Sequence, residues 1–231
     1  MTFYYLLLGH LLGDFTFQTD RIAEYKNKEL NWIALHSLIV TLSMLLFALP
    51  FGLKLMALVL VNGLLHFFID YFKTKITIKK PLSALIYFLT DQAIHIYIIY
   101  LISILSSPDI ESLPFSKEKI IFLIAFIFTL SFSTILVQMI LKIIFSKYSH
   151  SFFIKNERAI GNITRVIAFL TFFFSFIYSY LFLVILMMLL TILIYFYRKK
   201  WYQWMNGIYF TVKIALDLTM AFIGFLILFT I

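Results

Sequence analysis

The sequence predicts an all-α polytopic membrane bundle of about eight transmembrane helices, and three observations carry that prediction. Hydrophobic residues make up 63% of the 231 residues and charged residues only 13%. Mean hydropathy is +1.00, and long apolar runs such as 120–145 exceed the ~20 residues a helix needs to cross the hydrocarbon core. Most Lys and Arg residues, which bring the formal net charge to +8, fall between such runs. In a soluble chain that surplus would point to nucleic acid; positive loops on one side of a membrane explain it here, and no nucleic-acid partner is expected. The chain has no cysteine, so disulfides and thiolate metal ligands are excluded.

The expected spans are 2–18, 31–49, 53–72, 82–105, 119–145, 163–178, 179–197 and 205–230. The first lacks a basic leader and a small-residue cleavage site, and it carries His10 and Asp14, so it reads as a retained span. The connector 19–31 holds Asp20, Arg21, Glu24, Lys26, Lys28 and Glu29; it reads as a solvated link, with a short surface helix as the other reading. Asp20 and Arg21 adjoin the polar residues of the first span and could gate them. The block 163–197 contains no proline or glycine, and charge bias divides it. Spans 1–105 form one four-span module and 106–231 a second, within a single membrane domain.

With eight spans, the odd-numbered connections hold Arg21, Lys26 and Lys28; Lys73, Lys75, Lys79 and Lys80; Lys142, Lys147, Lys155, Arg158 and Arg165; and Arg198, Lys199 and Lys200. The even connections hold only Lys54, Lys117 and Lys119. Both termini are therefore expected outside and the basic loops in the cytoplasm, with the chain in a bacterial inner membrane. Tyr4, Tyr5, Trp32, Trp201 and Trp204 suit interfacial belts.

Polar residues then acquire depths. His10 and Asp14 stand at i and i+4 on one helix face, as do His66 and Asp70, and, in reverse order, Asp91 and His95. At ~1.5 Å per residue, His10 and His66 lie ~12 and ~9 Å from the cytoplasmic end of their spans, and His36 ~8 Å from the same side. The first and third spans look like copies, so spans one to four suggest a parallel two-helix repeat that would bring both His/Asp faces to a common axis. Ionisable residues in hydrocarbon are expensive and mark function by default. A thiolate-free His/Asp set suits a divalent ion, Zn or Mn first, with His10, Asp14, His66, Asp70 and His95 as ligands, His36 as a catalytic proton shuttle or a further ligand, and Asp91 as a catalytic residue, a member of the ligand set or a residue that orients it. The blander reading is helix-to-helix hydrogen bonding, worth ~0.6–2 kcal/mol per bond.

The segments around His10–Asp14 with Gln18, Thr19 and Asp20, Leu35-His36, Leu65-His66 through Asp70 to Lys73, and Asp91-Gln92 through His95 together resemble an uncharacterised bacterial membrane family, domain of unknown function 3307, over the first hundred residues. The resemblance implies a helical membrane fold with this polar cluster and brings no established activity. The stretch Glu157-Arg158 to Arg165 is similar to a basic segment of longer family members, with Thr164 where an acidic residue is expected. The His-x3-Asp spans also resemble membrane-bound metal-dependent hydrolases.

Two functions follow. The first is a metal-dependent hydrolase or lipid-modifying enzyme near the cytoplasmic leaflet, with membrane lipids as partners and anionic headgroups met by Lys73, Lys79, Lys80, Arg158 and Arg165. The second is a small transporter for protons or a divalent metal, using the same cluster with Lys213 and Asp217, an i, i+4 pair in the last span, as part of the path. Alternatively, Lys213 and Asp217 simply neutralise each other. His150 reads as a solvated loop residue.

Overall fold

The computed structural model describes residues 1–26, 28–76, 80–106, 113–145, 154–178 and 207–229, with scattered positions between 181 and 192. Most of the span expected at 179–197, the cluster Arg198 to Lys200, and Lys79, Lys147, His150, Trp201 and Trp204 lie outside the described residues.

Every described element is helical. Among the described residues, six helices are long and apolar enough to cross a membrane: Leu30–Phe51, Leu53–Thr74, Pro81–Ser106, Lys117–Ile144, Arg158–Tyr178 and Gly207–Ile227. The chain is thus a multi-pass membrane protein. The first expected span is shorter than these six: α1 covers Thr2–Leu11 and continues as a single π-helical segment, Leu12–Thr16. A short helix, α2 (Asp20–Tyr25), follows in the connector, started by Thr19, whose side chain accepts a hydrogen bond from the Ile22 amide. Next come α3 (Leu30–Ala48), α4 (Leu53–Thr74) and α5 (Pro81–Ser106). Pro50 and Gly52, the latter at φ 83°, make the tight reversal between α3 and α4. The span Lys117–Ile144 consists of α6 (Lys117–Ile127), a π segment Phe128–Phe132 and α7 (Ser133–Ile144). The last two helices described are α8 (Ile154–Tyr178) and α9 (Gly207–Ile227).

Two compact units divide at the π segment of that long helix, Met1–Ile127 and Phe128–Ile231. The first unit therefore takes in α6, beyond the expected boundary at 105. Tyr5 explains this: its hydroxyl donates to the Phe115 carbonyl and accepts from the Phe115 amide, both at 2.9 Å, which ties the start of α6 to α1.

Within the first unit, α1 packs on α3 and α5, and α4 packs on the same two helices, so α1 and α4 stand diagonally across a four-helix ring. Contacts give the directions. Gly9 meets Met44 and Gly13 meets Val40, so α1 and α3 are antiparallel; Asn62 meets Met44 and His66 meets His36, so α3 and α4 are too. The apolar core lies at one end of the ring, from Tyr5, Leu6, Leu8, Val40, Met44, Leu55, Val59, Ile99 and Ile102, with Ile120 and Ile124 of α6 against it. Antiparallel alternation puts the other ends of α1, α3, α4 and α5, and so all seven His/Asp positions of the first hundred residues' polar motifs, at the opposite end. Outward faces are apolar: Leu38, Leu42 and Leu46 on α3 and Leu60 and Leu64 on α4 are more than half exposed, as suits contact with lipid.

In the second unit, α8 begins at Ile154, nine residues before the expected start of its span. Arg165 consequently lies inside a helix and is 1% exposed, a correction to its placement in a cytoplasmic connection. The reason is local: Gly161 does not interrupt the helix, and Arg165 finds enough partners to be buried.

Candidate metal centre

Four helices deliver the cluster. His10 and Asp14 come from α1 and its π extension, His36 from α3, His66 and Asp70 from α4, and Asp91 and His95 from α5. All seven are buried, with His10 and His36 fully so. Two glycines on α1 permit the convergence: a Cβ on Gly9 would lie 2.8 Å from the Met44 Cα, and one on Gly13 2.6 Å from the Val40 Cα. Only hydrogen at these positions lets α1 sit so close to α3. The Gly9-x3-Gly13 spacing, the small-residue pattern of close-packed membrane helices, is the signal in the sequence that would have found this contact.

The π segment changes what Asp14 reaches. The Phe17 amide bonds to the Leu12 carbonyl at 2.8 Å, five residues back, which marks the wider turn. In a regular α-helix Asp14 would stand above His10 on one face, as the i, i+4 spacing predicts. Instead its Oδ1 lies 2.9 Å from His36 Nε2, and its Oδ2 accepts from Gln92 Nε2 at 2.9 Å. His10 is left with neither ring nitrogen hydrogen-bonded to protein. Its ring faces those of His66 and His95, at centroid distances of 5.7 and 5.5 Å. The His66 and His95 rings stack at 4.2 Å.

His36 is the hub. Its Nε2 lies 3.3 Å from His66 Nε2 and 3.4 Å from Asp70 Oδ2, while His66 Nε2 and Asp70 Oδ2 are 3.6 Å apart. Two donor triads result, Asp14/His36/His66 and His66/Asp70/His95, each with its donor atoms within 4.8 Å of one another. Metal bonds of ~2.0–2.2 Å at the tetrahedral angle put neighbouring ligand atoms ~3.3–3.6 Å apart, and the separations among His36, His66 and Asp70 fall close to that value. Two atoms of the triad residues, Asp70 Oδ2 and His95 Nε2, lack a hydrogen-bond partner in the protein, as does Asp91 Oδ1 beside them. Buried donors that converge on one region while several of them keep no hydrogen-bond partner fit a cation held between them. His36, read from sequence as a ligand or a proton shuttle, stands among the candidate donor atoms; Asp91 lies at the edge, 3.6 Å from His95 Nε2.

Two ammonium groups enter the cluster. Lys73, in the last turn of α4, places Nζ 2.6 Å from Asp91 Oδ2. Lys26 places Nζ 3.1 Å from His36 Nε2 and 3.7 Å from Asp70 Oδ2. Sequence reasoning left Lys26 in a solvated connector. It reaches the site because α2 folds onto α3: Ile22 is buried, Tyr25 stacks on Trp32 at 5.4 Å, and the Arg21 guanidinium lies over the same Trp32 ring at 5.3 Å. Lys28 by contrast is an exposed partner of Glu24 at 2.9 Å, and Lys80 is exposed.

The second unit buries a different polar group. Arg165 donates Nη1 to Asp217, Nε to the Thr129 carbonyl at 2.9 Å, and Nη2 to Asn162 Oδ1 at 2.6 Å and to Thr134 Oγ1. Lys213 Nζ meets Asp217 Oδ2 at 2.6 Å. A Cβ on Gly161 would lie 3.0 Å from both Arg165 Nη1 and Lys213 Nζ, so this glycine makes room for two cations around one carboxylate. Lys213 and Asp217 are therefore two members of a three-charge group. Arg165, expected at a headgroup, has its donors engaged within the protein.

Fold and cluster together define a multi-pass helical membrane protein whose first unit encloses a His/Asp site of metal-ligand type. The family model described as "Protein of unknown function (DUF3307)" matches residues 2–124, the stretch that contributes every candidate donor atom of the cluster, and the chain belongs to that family. No curated protein and no solved structure matches the chain.

Proposed function

We propose that the protein is an intramembrane metal-dependent hydrolase acting on a lipid or lipid-linked substrate. The observation that carries this reading is the position of His36 Nε2, within 3.4 Å of one oxygen from each of Asp14 and Asp70 and of the His66 nitrogen. Asp14, His36, His66, Asp70 and His95 would hold the ion, His10 would complete the set, and Asp91 would act from the edge, its carboxylate placed to take or return a proton. A bound divalent ion supplies Lewis acidity and a water that ionises near neutral pH. The ring of four helices excludes bulk water around these residues, and Gln92 orients Asp14.

The charge pattern supports a cytoplasmic-leaflet site in a bacterial inner membrane: the cluster lies at the end of the ring that carries Arg21, Lys26, Lys28, Lys73, Lys75 and Lys80. Eight spans with both termini outside remain the topology that this pattern favours.

Elemental analysis of the full-length protein purified in mild detergent tests the reading. Wild type should retain a stoichiometric divalent metal, and both His36→Ala and the pair His10→Ala with Asp70→Asn should lose it while keeping helical circular dichroism. A metal-free wild type after gentle purification and metal supplementation would sink the hydrolase.

A further inference from the structure

The charges around the cluster identify what the metal-loaded site would accept, an inference that rests on the metal reading above. Among the described residues of the first unit, the buried carboxylates are Asp14, Asp70 and Asp91, and the ammonium groups against them are Lys26 and Lys73. With the histidines neutral, as metal ligation requires, three negative charges face two positive ones. A divalent ion converts the single surplus negative charge into a single positive one. In surroundings of low dielectric that surplus needs an anion, and a monoanion balances it.

The two lysines are not equivalent in this state. Lys73 keeps its carboxylate, since Asp91 Oδ2 lies 2.6 Å away and belongs to neither donor triad. Lys26 loses its neighbours: His36 Nε2 and Asp70 Oδ2, at 3.1 and 3.7 Å, are the atoms a metal would take. Its side chain is only 16% exposed and is held at the site by α2, so the ammonium stays beside the metal position without an acceptor of its own. We propose that the metal-loaded site binds a phosphodiester, with Lys26 as the residue that holds its non-bridging phosphate oxygen and so sets specificity. A phosphodiester carries one negative charge at neutral pH, and its two non-bridging oxygens can meet a metal and an ammonium together. Hydrolysis would add water across one P–O ester bond: oxygen from water joins phosphorus, the ester P–O bond breaks, and the departing alkoxide takes a proton, giving an alcohol and a phosphomonoester. The apolar outer faces of α3 and α4 favour a lipid as the source of the diester.

Manganese serves as both ligand and probe. Full-length protein in detergent is loaded with Mn(II), its stoichiometry is measured by electron paramagnetic resonance, and the 31P linewidths of three added compounds are followed: dihexanoyl phosphatidylglycerol, dimethyl phosphate and dihexanoyl phosphatidic acid. The phosphodiester lipid should broaden at the lowest concentration. Lys26→Gln should keep its Mn(II) and need about tenfold or more lipid for the same broadening, as befits loss of a charge-assisted hydrogen bond, and Lys26→Arg should restore it. Broadening of dimethyl phosphate at equal concentration would name a soluble diester as the source and leave the chemistry standing. Tighter binding of phosphatidic acid, Lys26→Gln indistinguishable from wild type, or loaded protein that broadens none of them would overturn the proposal while the metal site survived. Failure to bind Mn(II) at all would overturn both.

Discussion

Replacing Gly13 by alanine tests whether the metal geometry is set by the close approach of α1 to α3. The added Cβ would lie 2.6 Å from the Val40 Cα, against an ordinary contact of 3.4–4 Å, so the helices must part by about 1 Å. That displacement acts one turn from His36 and one residue from Asp14. It would lengthen the 2.9 Å Asp14–His36 approach to about 4 Å, beyond hydrogen-bonding range and beyond a shared ligand shell. Overpacking of this kind costs roughly 1–3 kcal/mol, and loss of a charge-assisted contact about as much again. The unfolding midpoint in detergent should fall, and the affinity for Mn(II), measured by titration calorimetry, should drop by about tenfold or more, since ~1.4 kcal/mol is tenfold. Gly52→Ala is the control: at φ 83° it is strained, but nothing lies within 4 Å of its Cβ and it sits at the far end of the ring from the cluster. It should lower stability by about 1 kcal/mol and leave Mn(II) affinity unchanged. If Gly13→Ala binds Mn(II) within about twofold of wild type, helix approach does not govern the site.

Two further substitutions separate ligand from scaffold. His10→Phe removes a ring with no hydrogen bond to lose, so stability should change by no more than ~1.5 kcal/mol while Mn(II) affinity falls about tenfold; unchanged affinity would make His10 a packing residue. Asp217→Asn strands the Arg165 guanidinium and the Lys213 ammonium in a buried setting and should cost ~3–5 kcal/mol, read as a lower unfolding midpoint. Adding Lys213→Met should recover part of that loss, and no recovery would show that the two cations are not competing for one carboxylate.

The His/Asp pairs on α4 and α5 were legible because i, i+4 spacing in a regular helix leaves little freedom. His66 with Asp70 and Asp91 with His95 each lie 3.6 Å apart. The same spacing misled at His10 and Asp14, because nothing in Leu12–Thr16 distinguishes a π turn from an α turn. Distant partners select it: Asp14 gains His36 and Gln92, from α3 and α5. Lys26 was illegible for a related reason. A connector rich in charge looks solvated until the Thr19 cap and the Tyr25–Trp32 stack fold it back. Arg165 looked like a loop cation because its carboxylate, Asp217, comes 52 residues later.

Both units bury charge beside a π segment, and the two differ in how far their polar atoms are satisfied. A π turn inserts a residue and disturbs the regular ladder, which either re-aims a side chain or frees carbonyls. At Phe128–Phe132 the Thr129 carbonyl is taken up by Arg165 Nε, and the remaining guanidinium donors reach Asp217, Asn162 and Thr134; among the described residues, no side-chain atom of Arg165, Lys213 or Asp217 is left buried without a bond. A group so completely satisfied can lock helices together and has nothing to offer a ligand. At Leu12–Thr16 the turn re-aims Asp14, and the surrounding atoms stay unmet: both nitrogens of His10, Nδ1 of His36 and His66, Asp70 Oδ2, Asp91 Oδ1 and His95 Nε2. Each such atom costs about 1–3 kcal/mol when it has no partner. Unmet atoms gathered at one end of the ring, where two lysines also converge, favour the proposed binding site over a helix staple.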